Sequence, residues 1–244
     1  MLRAALTMRK RLVITVFTCV LAVGGMLVAW RYWTHRYDKL IAAAAHQHGL
    51  DPALVKAIVY EESFFSARAH SSQNAVGLMQ VTPVVAQEWV DATRSRSLSE
   101  AASEITGKPT VEPGPGFEKT FEDPAVSLHV GCWYLQSLFN RYRDEPDPLA
   151  FALAAYNAGP SNVERWAPGA DRSKISRDEF IARIDFPATR SYVHKIIQRY
   201  DGYKRDGEMM GQGEGNALFR RLGLSLGFSV LPYTSVNVNE PAWT

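Results

Sequence analysis

The stretch VKAIVYEESFFSARAH, Val55 to His70, ends an apolar run in two adjacent glutamates, Glu61 and Glu62. Just upstream, Asp51 and Pro52 are a helix-start signal, the aspartate as cap and the proline at the first helical position. With residues stepped at about 100°, Leu54, Val55, Ile58 and Val59 form an apolar stripe centred within about 10° of Glu62. Glu61 lies about 100° away, at the stripe's margin, while Lys56 and Tyr60 mark the opposite face. Glu62 therefore reads as the inward carboxylate and Glu61 as an ordinary one. A carboxyl group among apolar neighbours is desolvated, which disfavours its charged form and raises its pKa. Such a group still holds its proton near neutral pH, as a general acid must. A buried glutamate satisfied by a structural partner fits the same wheel, so the neighbouring motifs have to decide.

Working outward, RYDKLIAAAAHQHGLDP reads as a helix ending near Gly49, with Leu40, Ile41, Ala44 and Ala45 on one stripe. Further helices are expected at Pro83–Ala92, Pro124–Tyr142, Pro148–Asn157 and Pro187–Tyr203. Each opens on a proline, whose missing N–H costs nothing at a helix start. No alternating strand pattern separates them, so the fold class is mainly α. Thr93–Glu122, which contains TGKPTVEPGPGFEKT, reads as a long Gly/Pro-punctuated connection. GEMMGQGEGN, Gly207–Asn216, reads as a flexible linker within a terminal segment, residues 206–244, of no assigned role.

Hydrophobic residues make up 46% of the 244 and charged residues 21%, a globular composition. The net charge of +2 lacks the basic excess of a dedicated nucleic-acid binder, and no nucleic-acid partner is expected. Cys19 and Cys132 are far apart, the first inside an apolar run, and make no disulfide framework. No His/Cys cluster points to a metal or another cofactor.

LVITVFTCVLAVGGMLVAW, Leu12 to Trp30, is nineteen residues without a charge, and about 20 apolar residues suffice to span a bilayer as a helix. Trp30, Tyr32 and Trp33 follow where an aromatic belt meets the headgroups. A cleaved signal has a shorter apolar region and a small-x-small site, neither of which is evident here. A retained transmembrane anchor over residues 12–33 is the expectation. Arg3, Arg9, Lys10 and Arg11 favour a cytoplasmic segment at 1–11, although Arg31, Arg36 and Lys39 beyond the span weaken the asymmetry.

Two motifs lie downstream of Glu62: GLMQVTP, Gly77–Pro83, and AAYNAG, Ala154–Gly159. Gly77 permits close backbone approach or a positive φ. Met79 and Gln80 offer an adaptable apolar contact and an amide that both donates and accepts. Tyr156 and Asn157 put a polar pair at the end of a bare alanine run, which suits a cleft wall. The alternatives are a core gap-filling role for Met79 and a helix cap for Asn157.

With these residues in view, the chain from about Tyr37 to Tyr203 resembles the catalytic domain of the soluble lytic transglycosylases, lysozyme-like enzymes that cleave bacterial peptidoglycan. The resemblance rests on Glu62-Ser63, Gly77-Leu78-Met79-Gln80, Tyr156-Asn157-Ala158-Gly159, and Thr189-Arg190 with Tyr192, in that order. It implies a lysozyme-like helical domain with a substrate cleft over residues 37–205, preceded here by the one transmembrane helix. It implies Glu62 as the single catalytic acid/base. Ser63 and Ser71 then match serines near the scissile sugar, Ser71 contacting an N-acetyl group. Gln80 and Tyr156 would line the subsites, with Gly77, Leu78, Met79 and Asn157 around them, and Tyr192 would contact the catalytic carboxylate.

The same resemblance implies peptidoglycan glycan strands as substrate, with no metal and no cofactor. The cut falls between N-acetylmuramic acid and N-acetylglucosamine and closes a 1,6-anhydro ring. With the anchor, it implies a single-pass protein of the bacterial inner membrane, its domain facing the periplasm, with a possible place in a cell-envelope complex. Three residues depart from the family pattern: Ala188 where glutamate often precedes Thr-Arg, Asn74 for a glycine, and Ser127 for an asparagine. A hydrolytic lysozyme of the same fold, or an inactive wall-binding scaffold, are the competing expectations.

Overall fold

The computed structural model describes residues 2–100 and 114–212. The chain divides into two compact units, Met1–Tyr203 and Lys204–Thr244. The elements in order are α1 (Leu2–His35), α2 (Asp38–Gln47), α3 (Pro52–Ser63), α4 (Pro83–Glu100), α5 (Pro115–Phe121), α6 (Pro124–Arg141), α7 (Pro148–Ala158) and α8 (Pro160–Trp166). A 3₁₀ turn (Gly169–Lys174), α9 (Arg177–Arg183) and α10 (Pro187–Gln212) complete them. Among the described residues the only β pairing is two isolated bridges, His70 with Val76 and Val76 with Val81. The fold is mainly α, as the helical periodicity implied.

Three helices start on the same device. At Asp51-Pro52, Asp123-Pro124 and Asp147-Pro148 the aspartate accepts from free N–H groups of the first turn, from Ala53, from Ala125 and Val126, and from Ala150. Proline at the next position removes one N–H that would need a partner.

Periodicity is silent for the shortest elements. α5, α8 and α9 have seven residues each, two turns, which is too short for a 3.6-residue repeat to register. Within the stretch Thr93–Glu122, α4 continues to Glu100 and α5 begins at Pro115, while residues 101–113 lie outside the described residues. α10 runs to Gln212, into the Gly207–Asn216 stretch; an established helix adds each further residue without a new nucleation cost. Residues 213–244 lie outside the described residues.

The main core is built around α3 and α7. Leu54, Val55, Ala57, Ile58 and Val59 of α3 are buried, as is every residue of α7 from Ala150 to Ala155. The alanines of α7 let its neighbours approach closely, and Phe151 stacks on Phe180 of α9 with centroids 3.8 Å apart. A smaller apolar cluster, including Val76, Val81, Phe117, Phe121 and Val130, joins α4, α5 and α6 beneath the Gly77–Pro83 loop.

Helix α3 is enclosed further round than its wheel implies. Tyr60, on the face opposite the stripe, is half-buried and packs edge-on against Phe64 and Phe65. Lys56 pairs with Asp38 of α2 at 2.7 Å. Glu61 keeps only 12% of its side chain exposed and pairs with Arg199 of α10. The stripe marks the most apolar side, but α2 and α10 cover the rest with polar partners, a contact no local pattern reports.

Gly131 of α6 is a close-packed crossing: a Cβ there would fall 2.6 Å from both Cβ and Sδ of Met79. Gly131→Ala gains helix propensity of about 1 kcal/mol but forces the Met79 backbone away. A net loss of about 1–3 kcal/mol is expected from such overpacking, read as a lowered midpoint in urea unfolding.

Candidate active site

Glu62 sits in the last turn of α3, half-buried among the residues of its apolar stripe. The Tyr192 hydroxyl on α10 donates to its Oε1 at 2.6 Å. Burial pushes the Glu62 carboxyl up to about 7; the Tyr192 hydrogen bond opposes this and the negative charge of Glu61 adds to it. Burial and the nearby Glu62 charge in turn push the Tyr156 and Tyr192 phenols well above their usual range, so both remain hydrogen-bond donors.

Ser63, next to Glu62, bonds the loop from Val76 to Val81, which is closed by reciprocal backbone hydrogen bonds of 3.0 Å between its end residues. Gly77 has φ +86, and a Cβ there would meet the Phe121 carbonyl oxygen at 2.0 Å and Ser127 Oγ at 2.7 Å. Only glycine meets both requirements. Gln80 has φ +48, and its amide donates back to the carbonyls of Ala69 and Gly77, each at 3.0 Å.

Three hydroxyls from three helices hold the loop's tip. Ser63 of α3 donates to the Leu78 carbonyl at 2.9 Å. Ser127 of α6 accepts from Met79 N–H at 3.1 Å, and Tyr156 of α7 donates to the Met79 carbonyl at 2.8 Å. The Leu78 and Met79 side chains point into the core; Met79 is 0% exposed, with its sulfur 3.9 Å from Cys132 Sγ. Met79 thus meets the site through its backbone. Ser63 thus serves the loop's backbone, while its neighbour Glu62 takes Tyr192.

The remaining motif residues divide by place. Ser71 is exposed and its hydroxyl accepts from the Gln73 and Ala75 N–H groups, shaping the turn before the loop. Asn157 is exposed and accepts from Thr189 at 2.7 Å, which ties the end of α7 to the start of α10. Arg190 donates back to the Ile184 carbonyl, bracing that start. Thr189 and Tyr192 are three residues apart on one helix face, so the bond to Asn157 positions the hydroxyl that reaches Glu62.

The departures find physical accounts at two of three places. Asn74 has φ +58, the left-handed region that asparagine tolerates best after glycine. Ser127 supplies the buried oxygen that the Met79 N–H needs. Ala188 is exposed at the first turn of α10, and nothing in the structure explains it.

Sequence reasoning missed Arg199. Its guanidinium donates twice to Glu61 Oε1, at 2.7 and 3.1 Å, and lies 3.3 Å over the Tyr60 ring. It pairs with the charge next to Glu62. The helix number of Glu61 marks it as marginal, but the cation that meets it comes from 138 residues away.

This chain belongs to the Transglycosylase SLT domain family, whose model matches residues 39–178. It is similar to a soluble lytic murein transglycosylase of Salmonella typhimurium, 28% identical over 194 residues covering 77% of this chain and 26% of that protein. It is also similar to a membrane-bound lytic murein transglycosylase F of Desulfosudis oleivorans, 33% identical over 193 residues, 70% of this chain and 37% of that one. Among solved structures, the 70 kDa soluble lytic transglycosylase of Escherichia coli matches with a TM-score of 0.51 and 25% identity, over 70% of this chain and 24% of that one. The chain thus spans well under half the length of each.

The raised Glu62 carboxyl has a stability consequence with a definite sign. Below about 4.5 both folded and unfolded chains hold the proton. As pH rises toward about 7, only the unfolded chain ionises freely, so stability is lost across that window. Glu62→Gln is expected to match the parent at pH 4 and to exceed it by up to about 3 kcal/mol at pH 8, measured by urea unfolding at both pH values.

Proposed function

We propose that this chain is a membrane-anchored lytic transglycosylase of peptidoglycan, with Glu62 as its single acid/base. The observation that carries this reading is Glu62 itself: a desolvated carboxyl lifted to about 7 and aimed by Tyr192, next in sequence to Ser63, one of three hydroxyls that hold the Val76–Val81 loop. Membership in the family, and the named activities of the similar proteins, support it.

The chemistry follows from one carboxyl acting twice. Protonated Glu62 donates to the glycosidic oxygen between N-acetylmuramic acid and N-acetylglucosamine as the C1–O bond breaks. The neighbouring N-acetyl carbonyl stabilises the positive charge at C1. The Glu62 carboxylate then takes the proton of the muramoyl C6 hydroxyl, and O6 bonds to C1. The products are a 1,6-anhydro end and a free 4-hydroxyl, with no water consumed and Glu62 reprotonated. In this reading Ser71, Gln80, Tyr156 and Asn157 are the residues that contact the glycan strand. Ser63, Gly77, Leu78 and Met79 hold the loop that forms one wall.

The anchor reading rests on α1. Among the described residues one helix is long and apolar enough to cross a membrane, and none of its apolar window is buried. The more basic start of α1 supports a cytoplasmic N-terminus, and with it an inner-membrane protein whose domain faces the periplasm.

Purified full-length protein in detergent, incubated with sacculi, is expected to release muropeptides one water lighter than reducing ends, identified by mass spectrometry. Reducing ends would assign a hydrolytic lysozyme instead. Glu62→Gln is expected to slow release by about 10²- to 10⁴-fold; equal clearance by both proteins would refute the enzymatic reading. The rate should fall as pH rises through about 7, where Glu62 loses its proton. Tyr192→Phe removes the hydrogen bond that favours the carboxylate, so its alkaline limb should move to higher pH.

A further inference from the structure

The end of the catalytic helix carries an unusual turn. Phe64 and Phe65, which follow Glu62-Ser63, both adopt left-handed backbone, φ 50 and 59. A bulky residue there is an outlier, and two in a row persist only when the surroundings hold them. Here the surroundings are the end of α1. The Trp33 indole N–H donates to the Phe64 carbonyl at 2.8 Å, and the Arg36 guanidinium donates to the Phe65 carbonyl. These carbonyls lie just past the end of α3, where an N–H donor and a cation are both favourable.

A second joint stands beside the first. Asp38, at the start of α2, takes His35 of α1 at 2.7 Å and Lys56 of α3 at 2.7 Å. Arg36 also lies over the Trp33 ring, 3.6 Å from its centroid. The apolar helix is therefore bolted to α3 at two places rather than trailing from it.

Phe64 itself faces outward. The residue is 41% exposed, yet its ring lies 5.6 Å from that of Trp30 and 6.5 Å from that of Trp33. Trp30, 52% exposed, closes the uncharged run, and Trp33 stands about 4.5 Å further along the helix axis. A ring touching both is at their height. Where an apolar helix leaves the hydrocarbon, that height is the headgroup layer, the preferred place of amphipathic aromatic rings. Arg31 and Lys39, exposed nearby in sequence, add positive charge suited to anionic headgroups.

We propose that Trp30, Trp33 and Phe64 form one collar seated in the lipid headgroup layer, so that the catalytic helix is docked on the bilayer surface rather than tethered above it. The inference rests on the reading of α1 as a retained anchor. Glu62 then stands two residues from the lipid, and the enzyme works on glycan lying against the membrane.

The test uses the full chain in vesicles of phosphatidylethanolamine and phosphatidylglycerol that contain a phospholipid with a diazirine next to its glycerol. After flotation and irradiation, adducts are mapped by mass spectrometry. Adducts are expected on Phe64 as well as on Trp30 and Trp33, and not on Val84, an exposed apolar residue of α4. In Trp33→Ala/Arg36→Ala, α1 should stay labelled while the Phe64 adducts are lost. If the protein floats and α1 is labelled but Phe64 is as clean as Val84, docking is wrong and the anchor stands. Phe64 labelling that survives the double substitution would overturn docking through these contacts. If the protein does not float, anchor and docking fall together.

Discussion

One carboxyl group kept out of water is the constraint on which this structure turns. Glu62 pays a desolvation penalty that its single close donor, Tyr192, only partly offsets. The residual penalty keeps a proton on a carboxylic acid near neutral pH. Enclosing it involves α3, α7 and α10 together: its own helix, Tyr156 close enough to feel its charge, and Tyr192 in hydrogen bond with it. Helix propensity alone would leave the same residue at a solvated helix end.

The Val76–Val81 loop is held in place for a related reason. A short connection with two left-handed residues has backbone groups that no regular element can satisfy. Ser63, Ser127 and Tyr156 satisfy them from α3, α6 and α7, so the loop records the relative positions of three helices. A shift of any one helix would break a buried hydrogen bond, which costs more than an exposed one. The site's geometry is thus maintained by the packing of the whole helical unit.

Electrostatics are handled in the same compact way. Glu61 lies beside Glu62 in sequence, and its charge raises the Glu62 pKa. Arg199 covers that charge while stacking on Tyr60, and so limits how far the neighbour perturbs the acid. The helical wheel pointed the two glutamates in different directions, and they meet different partners, Tyr192 and Arg199. It described Glu61 as ordinary because the covering helix α10 is invisible to local periodicity.

By itself the sequence determined what short-range physics controls: the Asp-Pro helix starts, the mainly α class, the uncharged run of α1, and the inward direction of Glu62. Residues within one or two turns set these features, so spacing and capping chemistry suffice. The tertiary structure alone brought Arg199 to Glu61 from 138 residues away, whereas Tyr192 at Glu62, from 130 residues away, was an expectation of the family resemblance and of no local pattern. It also turned Met79 into the core and Ser63 toward the loop, since a residue's side of a tight loop depends on helices packed around it. Chain topology brings such partners together, and no periodic pattern encodes the distance between them.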